Sequence, residues 1–400
     1  MAEDLGALNE LVLELDRPPP DMDPSRALER WAGSGAMVLT GRADRPPRVV
    51  PVSLVSGLDL LADWLTDLGG PKVDGPALLG ERAAVSAMQP RGTTSLGGDA
   101  HLVDAEDGTV CLNLARPEDL ASIPALLGTD LDPTDWLAVR RAITRRRRED
   151  LTEVADLLGI PLGVPGTAAD KPALVRQGGS RPGAEDPILV VEFGSLWAAP
   201  LCGGLLRQAG CRVVKVESSR RPDGARSGSA AFFDLLNAGK ESVVIDPMVD
   251  AEMALVRRLV DRADVVLEAS RPRALRHWGL DADEAVDRGT VWVSITGYGR
   301  TGQRSGGVAF GDDAAVSGGL LLDDPREFVA DAVADPSTGL LAAAMVLGAL
   351  SDARGSLIDL SLAGTSQWLR SGSGRMAEPN ENTLMVSPRI RTQGTGEPSS

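Results

Sequence analysis

The sequence has few of the residues that usually bind metals or carry out acid–base catalysis. Three cysteines and two histidines occur in 400 residues, and neither residue type shows the spacing of a metal site or a catalytic triad. We therefore predict that no metal is bound, and that the thiols stay reduced in a cytoplasmic protein. Lysine is equally scarce: the 41 basic residues comprise 37 arginines and only four lysines, namely Lys72, Lys171, Lys215 and Lys240.

Positive charge is also in deficit. The chain has 57 acidic and 41 basic residues, for a formal net charge of -16. Nucleic acid is disfavoured as a partner because its phosphates would be repelled. The longest apolar runs, such as 340–350, fall short of the roughly 20 residues that span a bilayer, so we expect no membrane partner. A small molecule or another protein is the expected partner.

Several nucleotide-binding and hydrolase motifs are missing. The turn after the apolar run 187–193 has no G-x-G-x-x-G fingerprint, and the chain has no P-loop, zinc motif or G-x-S-x-G sequence. An NAD-dependent enzyme is therefore a weak alternative. Equilibrium binding of NAD would test it.

Strand-like and helix-like periodicities alternate from residue 187 onward. Apolar or β-branched runs at 187–193, 211–217, 242–246, 263–269 and 291–299 are separated by helical patterns at 199–210 and 249–263. Fully apolar strands that alternate with helices indicate a parallel sheet covered on both faces. The sequence thus predicts an α/β fold: a Rossmann-like, doubly wound parallel sheet, with ligands bound beyond the carboxyl ends of its strands.

Composition divides the rest of the chain. Residues 164–186 are rich in Gly, Pro and Ala and are predicted to link a unit at 1–163 to the α/β domain at 187–370. Residues 371–400 are expected to be a disordered tail. Residues 31–65 also align weakly with 315–350, placing Ser53 where the later segment has Asp335. A duplication that lost its acidic residue would explain this, and chance similarity is the alternative.

Asp335 has two interpretations. It precedes Pro336 and an apolar helical pattern, and Asp before Pro is a common helix start, so helix capping is the favoured interpretation from the residues alone. A carboxylate at a helix N-terminus also stays ionised beside backbone N–H groups, as a nucleophile requires. The sequence physics leaves both roles open.

Basic residues concentrate in one short stretch of this acidic chain. Lys215, Arg220, Arg221, Arg226 and Lys240 follow a predicted strand. Each alone is most simply a solvated charge. Together, beyond a strand end, they suit an anionic ligand with several phosphates.

Taken in order, seven segments resemble the class III CoA-transferases, the family that includes formyl-CoA and carnitine CoA-transferases and α-methylacyl-CoA racemases. The segments are VVEFGSLWAAPLCGGLLRQAGCRVVKVE, LLNAGKESVVIDP, ADVVLEASRPRALRHWGL, VWVSITGYGRTG, AVSGG, ADPSTGLLAAAMVLGAL and GSLIDLSLAGT. Residues 107–128 and 156–166 look like the family's small domain, a smaller α+β unit. The order of the seven segments is more specific than any one of them.

The resemblance implies a chemistry and a set of site residues. Asp335 matches the aspartate that attacks an acyl-CoA thioester, forming an anhydride and then an aspartyl-CoA thioester. The turn along CoA would be formed by Leu196, Trp197 and Ala198. Lys240 and Arg271 would face the nucleotide of CoA, and backbone N–H groups near Gly318 and Gly319 would stabilise an oxyanion. Coenzyme A, an acyl-CoA and a small carboxylic acid are the implied ligands.

Departures from the family pattern keep an alternative open. The stretch 309–319 lacks the usual Tyr-Asp or His-Asp pair, so a racemase is disfavoured, and the small-domain-like part precedes the α/β domain. The N-terminal region resembles the second half of a family unit without its nucleophile. A CoA-transferase with one active site is the leading hypothesis, and a non-catalytic CoA-binding or regulatory homologue is its alternative. Family members form interlocked dimers, so we expect a homodimer.

Overall fold

The computed structural model describes residues 6–169, 171–181, 187–270, 272–372, 374–380 and 382–391. Within these ranges the chain forms a mixed α/β protein with one large and one small sheet. The elements of its first part are α1 (Ala7–Leu15), α2 (Pro24–Ser34), α3 (Val52–Asp67), α4 (Glu81–Ser86), β1 (Ala100–Ala105), β2 (Gly108–Asn113), α5 (Pro117–Ala121), α6 (Ile123–Leu127), α7 (Trp136–Ile143), α8 (Arg148–Leu158) and β3 (Leu162–Gly163).

The second part contains the large sheet. Its elements are β4 (Ala173–Ser180), β5 (Leu189–Phe193), α9 (Ala198–Gln208), β6 (Arg212–Ser218), α10 (Ala230–Asn237), β7 (Glu241–Ile245), α11 (Asp250–Asp261), β8 (Val265–Glu268), α12 (Pro272–His277), α13 (Ala282–Asp287), β9 (Val291–Thr296), α14 (Gly311–Ser317), α15 (Ala334–Ser351), β10 (Arg354–Ser361) and α16 (Leu362–Arg370).

The large sheet has the strand order of a dinucleotide-binding fold. Its seven strands run β4-β10-β9-β8-β5-β6-β7, and all adjacent pairs are parallel except β10 with β4. The parallel strands begin with β5 at the centre of the sheet, and β6 and β7 follow on one side of it. The chain then returns through β8 to the other side of β5. The order therefore reverses between β5 and β8, which is where such sheets bind ligands. The predicted doubly wound sheet is confirmed.

Apolar strands explain why both faces are covered. Along β5, Val190 belongs to one buried cluster and Val191 to another, because successive side chains point to opposite faces. Helices α9 and α15 pack on the Val190 face, and α11 and α13 on the Val191 face. A strand buried on both faces reads as a continuous apolar run, which is the pattern seen at 187–193.

The first part of the chain contributes to two different cores. Residues of α1, α2 and α3 share the buried cluster of α9 and α15, whereas residues of β1, β2, α6, α7 and α8 form a separate cluster. The small sheet is antiparallel in the order β1-β2-β3. A smaller α+β unit is therefore present, centred on 100–164. The division of the whole chain at residue 163 stays a prediction.

Described residues of two segments that were expected to be unstructured form specific contacts. Within the predicted linker 164–186, Ala173–Ser180 is the edge strand β4, paired antiparallel with β10. Described residues of the predicted tail also make specific bonds. The Arg391 guanidinium bonds the Glu81 carboxylate, the Arg389 Nη2 lies 2.9 Å from Asp74 Oδ2, and the Val386 N–H donates to the Ala32 carbonyl. The described residues of 371–391 thus contact the N-terminal part of the chain, and the disorder of the tail stays a prediction.

Helix α15 is the longest helix among the described residues and one of the most apolar. Its length and composition would suit a membrane span, yet 78% of it is buried inside the protein. It crosses over from β9 to β10 and packs against α1, α3, α9 and α16. A helix enclosed in this way shows the pattern of a core helix, and its first turn opens at the carboxyl edge of the sheet.

Candidate active site

Asp335 lies in the first turn of α15 and does not cap it. The N-cap position is Val333, and no side chain caps this helix. The capping interpretation, favoured on sequence alone, was therefore wrong. The Asp335 side chain is mostly buried but keeps an accessible fraction. An acid in the first turn gains from the helix dipole without being needed for a capping hydrogen bond.

The loop before Asp335 has an unusual backbone. Ala330 and Ala332 have φ values of 44° and 45°, in the left-handed region that costs a residue with a β-carbon about 1 kcal/mol or more. Two hydrogen bonds hold this conformation: the Ala330 N–H donates to Thr40 Oγ1 at 3.1 Å, and the Ala332 N–H donates to Asp312 Oδ1 at 3.1 Å. Strain fixed by its surroundings is typical of functional sites.

Carboxylates surround Asp335. A β-carbon on Gly311 would lie 2.6 Å from Asp335 Oδ2, so α14 approaches the carboxylate through its glycine backbone. Burial raises the pKa of Asp335 to about 7; Arg82 and the Gly311 N–H oppose this rise, and Asp312 and Asp331 add to it. Burial likewise raises the pKa of Asp312 to about 7. An acid that titrates near neutrality in a strained, partly accessible loop is a functional-site candidate.

A glycine brings Asp335 next to the predicted CoA turn. Gly339 is one helical turn after Asp335, and a β-carbon there would lie 2.6 Å from the carbonyl oxygen of Ala198. Without a side chain at 339, α15 packs directly against the start of α9. Both helices begin at the carboxyl edge of the sheet, so the Leu196–Ala198 turn and Asp335 share one end of the fold.

A buried ionic network fixes the turn. Leu196 has a φ of 67°, and its N–H donates to Asp223 Oδ1 at 2.9 Å. The other oxygen of Asp223 lies 3.0 Å from Lys215 Nζ, which also bonds Glu192 Oε1 at 3.1 Å and the Gly194 carbonyl at 2.5 Å. The side chains of Glu192, Lys215 and Asp223 are at most 1% exposed. Charges on β5 and β6 thus hold the backbone between β5 and α9.

Lys240 belongs to this network and is enclosed within the protein, whereas the resemblance implied a position facing a nucleotide. Its Nζ bonds Glu192 Oε2 at 2.8 Å, the Pro200 carbonyl at 2.7 Å and Asn237 Oδ1 at 3.0 Å, which uses all three of its protons. The side chain is 1% exposed, and burial lowers its pKa against the attraction of Glu192. Lys240 is held inside the protein because the buried Glu192 carboxylate bonds it as a second cation, in addition to Lys215.

The arginines of the same stretch differ among themselves. Arg220 pairs with Asp246 at 2.7 Å, and Arg226 pairs with Glu217 at 2.6 Å while stacking over Phe233. Arg221 is exposed and forms no ion pair with a described residue. The predicted basic cluster is therefore not one surface. Lys215 and Lys240 are buried, Arg220 and Arg226 are paired with acids, and Arg221 is available to an anion.

The remaining predicted site residues are placed unevenly. Trp197 and Ala198 are buried at the start of α9, and the Trp197 ring stacks edge-on with Phe232. The N–H groups of Gly318 and Gly319 donate to the Ala314 and Val316 carbonyls at the end of α14, so neither is free for an oxyanion. Arg271 lies outside the described residues. Among those described, no three His, Cys, Asp or Glu side chains gather as metal ligands would.

The site also contains residues that the sequence analysis missed. Arg82 of α4 binds Asp331, and both lie beside Asp335, whereas Glu192 anchors the turn. The acidic pair Asp312 and Asp313 was visible only as a departure in the stretch 309–319. Arg82 carried no signal, because a lone arginine 249 residues from its partner is indistinguishable in sequence from a solvated charge.

Comparison with known proteins places these features in a family. The profile of CoA-transferase family III matches residues 186–393, just over half of the chain. The chain therefore belongs to CoA-transferase family III, as the resemblance indicated. The match covers Asp335 and the large sheet except its edge strand β4, and it leaves out α1 to α8 and with them Arg82.

Individual relatives share about half of the chain. A succinyl-CoA–D-citramalate CoA-transferase of Chloroflexus aurantiacus is 31% identical over 195 residues, 44% of this chain and 48% of that protein. A succinate–glutarate CoA-transferase of Agrobacterium fabrum is 31% identical over 231 residues, 51% of this chain and 56% of that protein. A CaiB/BaiF family structure from Brucella suis is 30% identical with a TM-score of 0.43, covering 47% of this chain and 55% of the other. The chain spans about half the length of the curated relatives it matches.

Proposed function

We propose that this protein transfers coenzyme A between an acyl-CoA and a carboxylic acid, with Asp335 as the covalent acceptor. The observation that carries the proposal is the position of Asp335. Its partly accessible carboxylate lies one helical turn from the glycine contact that joins α15 to the Leu196–Ala198 turn. That turn follows β5 at the reversal point of the sheet, where a nucleotide ligand is expected.

The proposed chemistry uses two kinds of covalent intermediate on Asp335, an anhydride and a thioester. An Asp335 oxygen attacks the thioester carbon, the carbon–sulfur bond breaks, and an acyl-aspartyl anhydride and CoA thiolate result. The thiolate then attacks the aspartyl carbonyl carbon, releasing the first acid and leaving an aspartyl-CoA thioester. The second acid attacks that thioester to give a new anhydride and thiolate. Attack of the thiolate on the new acyl carbon forms the product and restores the Asp335 carboxylate.

The electrostatics of the site support this role. Burial raises the pKa of Asp335 to about 7, so a large fraction of the carboxylate is ionised at neutral pH. A carboxylate of raised pKa in a poorly hydrated site is a better nucleophile than a solvated one. The dipole of α15 also favours negative charge in its first turn, where Asp335 lies. The N–H groups of Gly318 and Gly319 have no part in this proposal.

Coenzyme A would lie along the carboxyl edge of the sheet. Leu196, Trp197 and Ala198 form the turn against which its pantetheine part would pack. The exposed Arg221 is the described member of the basic stretch that is free to meet a phosphate. Lys240 has a structural role instead.

The names of the relatives suggest which substrates to try. They include succinyl-CoA with D-citramalate, mesaconate and L-malate, succinate with glutarate, and acetyl-CoA with oxalate. The two acyl-CoA donors, with D-citramalate, glutarate, mesaconate, L-malate and oxalate as acceptors, form the substrate panel used below. We further propose a cytoplasmic homodimer that needs no metal. Light scattering at micromolar concentration would test the dimer, and a monomeric mass would contradict it.

One observation favours the alternative, a CoA-binding homologue without catalysis. Lys240, the cation expected at the nucleotide, is enclosed within the protein, so the CoA surface of this chain differs from expectation. The alternative shares the family and the fold with our proposal. It differs in predicting binding of CoA with no covalent change at Asp335.

Trapping with hydroxylamine separates the two functions. Hydroxylamine attacks the anhydride or the aspartyl thioester and leaves a hydroxamate on the aspartate. We expect this modification in the tryptic peptide 327–354 after incubation with a panel donor, and fragmentation should assign it to Asp335 and not to Asp331. Free CoA in place of acyl-CoA is the control. Binding of CoA with no hydroxamate from either donor would favour the non-catalytic homologue.

A further inference from the structure

One arginine from outside the family match reaches the candidate active site. Arg82 is the second residue of α4, in the part of the chain that the family profile does not cover. Its Nε donates to Asp331 Oδ2 at 2.9 Å, and its Nη2 bonds the other oxygen of the same carboxylate. This two-bonded arrangement fixes the guanidinium plane and spans a sequence separation of 249 residues.

The same guanidinium also contacts the CoA turn. Its central carbon lies 5.4 Å from the centroid of the Trp197 ring, within the range of a cation–π interaction. Arg82 thus joins three pieces of the fold: α4, the strained loop that precedes Asp335, and the start of α9. The Asp331 side chain is completely buried, and the Arg82 side chain is 25% exposed.

Charges of both signs face the Asp335 carboxylate. From α14 come the Asp312 carboxylate and the Gly311 N–H, from the preceding loop comes Asp331, and from α4 comes Arg82. Burial raises the pKa of the Asp99 carboxyl, and Arg82 opposes that rise as well. Without Arg82 the neighbouring side-chain charges would all repel an ionised Asp335, because Asp312 and Asp331 are both acids.

We propose that Arg82 is a positioning residue that keeps Asp335 ionised and holds its loop through Asp331, so that the N-terminal part of this chain completes the active site. This inference rests on the proposed function for its catalytic meaning. The charge effect itself can be measured without turnover. The guanidinium bonds Asp331 and lies over the Trp197 ring, so its proposed effect on Asp335 is through charge and through the loop.

Arg48 provides a matched control. It also comes from the N-terminal part and pairs with a buried acid of the same loop, because its Nη1 lies 3.1 Å from Glu327 Oε2. The Arg48 side chain is 25% exposed and that of Glu327 is 2% exposed, nearly as in the Arg82 pair. Arg48 is not among the charges that act most on Asp335. Breaking either pair should destabilise the loop, but only the loss of Arg82 should change the titration of Asp335.

The experiment compares Arg82→Gln, Arg82→Lys and Arg48→Gln in the full chain. Aspartate labelled with ¹³C at its carboxyl group reports the titration midpoint of Asp335 by NMR, with the resonance assigned by its disappearance in Asp335→Asn. We expect Arg82→Gln to raise this midpoint and Arg82→Lys to keep it near wild type, since lysine retains the charge. Arg48→Gln should leave it unchanged. Equal midpoints in Arg82→Gln and Arg48→Gln would overturn the inference.

A second readout connects the charge to the chemistry. The rate of CoA thiolate release on mixing with a panel donor should fall about tenfold in Arg82→Gln at pH 6.5, and less at pH 9, because a pKa rise of one unit removes most of the ionised form only at the lower pH. A loss of equal size at both pH values would contradict the charge role. If wild type releases no CoA, the proposed function fails, while the NMR midpoints still decide the inference.

Discussion

Replacing Asp335 with asparagine is expected to lower the rate of CoA transfer by at least about 10³-fold, which corresponds to about 4 kcal/mol of lost transition-state stabilisation. Asparagine has nearly the same shape but cannot form the anhydride, so the covalent route is closed. Initial rates with the substrate panel measure the effect. A loss smaller than tenfold would mean that Asp335 is not the acceptor.

Stability provides a check that Asp335→Asn remains folded. Burial raises the pKa of Asp335 from 3.8 to about 7, so the folded state favours the protonated acid. The folded protein therefore loses stability as the pH rises from about 4 to 7, because the unfolded chain releases this proton first. Asparagine has no such loss, and we expect the variant to be at least as stable as wild type at pH 8.

Asp313→Asn is the matched control for activity. Burial also raises the pKa of Asp313 to about 7. Its Oδ1 accepts bonds from Asn113 Nδ2 at 2.9 Å and from the Phe310 N–H at 3.0 Å, and an asparagine oxygen can accept both. We expect this variant to keep most of its transfer activity. Equal losses in both variants would show that the removal of a buried charge, and not of a nucleophile, caused the effect.

Replacing Glu192 with alanine is expected to give the largest loss of folding stability, about 3 kcal/mol or more. This carboxylate bonds both Lys215 and Lys240 with no exposed surface, and its removal leaves two buried ammonium groups without their shared counter-charge. The Gly194–Leu196 turn, which Lys215 also holds, should loosen as well. Urea unfolding at pH 7 measures the change.

Glu241→Ala is the comparison for Glu192→Ala. Glu241 pairs with Arg212 at 2.6 Å, and both side chains are 54% exposed, so its loss should cost less than about 1 kcal/mol. Glu241 and Arg212 lie on β7 and β6, next to the strand of Glu192 in the same sheet. Similar losses for the two variants would contradict the view that the buried network holds this edge of the fold.

The sheet could be predicted from the sequence because each parallel strand is coded locally. Val190 and Val191 face opposite cores, so a strand covered on both sides reads as an uninterrupted apolar run. The edge strand β4 could not be predicted in the same way. Gly178 and Gly179 suggested a linker, yet β-carbons at these positions would lie 2.2 Å from the Val286 and Asp287 carbonyl oxygens. Here glycine permits a close backbone approach and does not mark flexibility.

The errors in the candidate site come from contacts between distant parts of the sequence. Lys240 was assigned to a ligand because its partner Glu192, 48 residues earlier, was concealed within an apolar strand. The bond of Arg391 to Glu81 was not predicted because the two residues lie 310 positions apart in the sequence. Asp335 itself was identified as a nucleophile only through the family resemblance, since its local sequence favours a helix cap. Pairings of this kind are set by tertiary packing and leave no local pattern.

Isotope transfer into Asp335 tests the central claim most directly. When the accepting acid carries ¹⁸O in its carboxylate, one labelled oxygen becomes the bridge of the second anhydride and stays on Asp335 after the thiolate attacks the acyl carbon. The account predicts that turnover with a panel donor and a labelled panel acid places ¹⁸O in the peptide 327–354, at Asp335, while Asp335→Asn gains none. Product formation without ¹⁸O in that carboxylate would show that the transfer does not pass through Asp335.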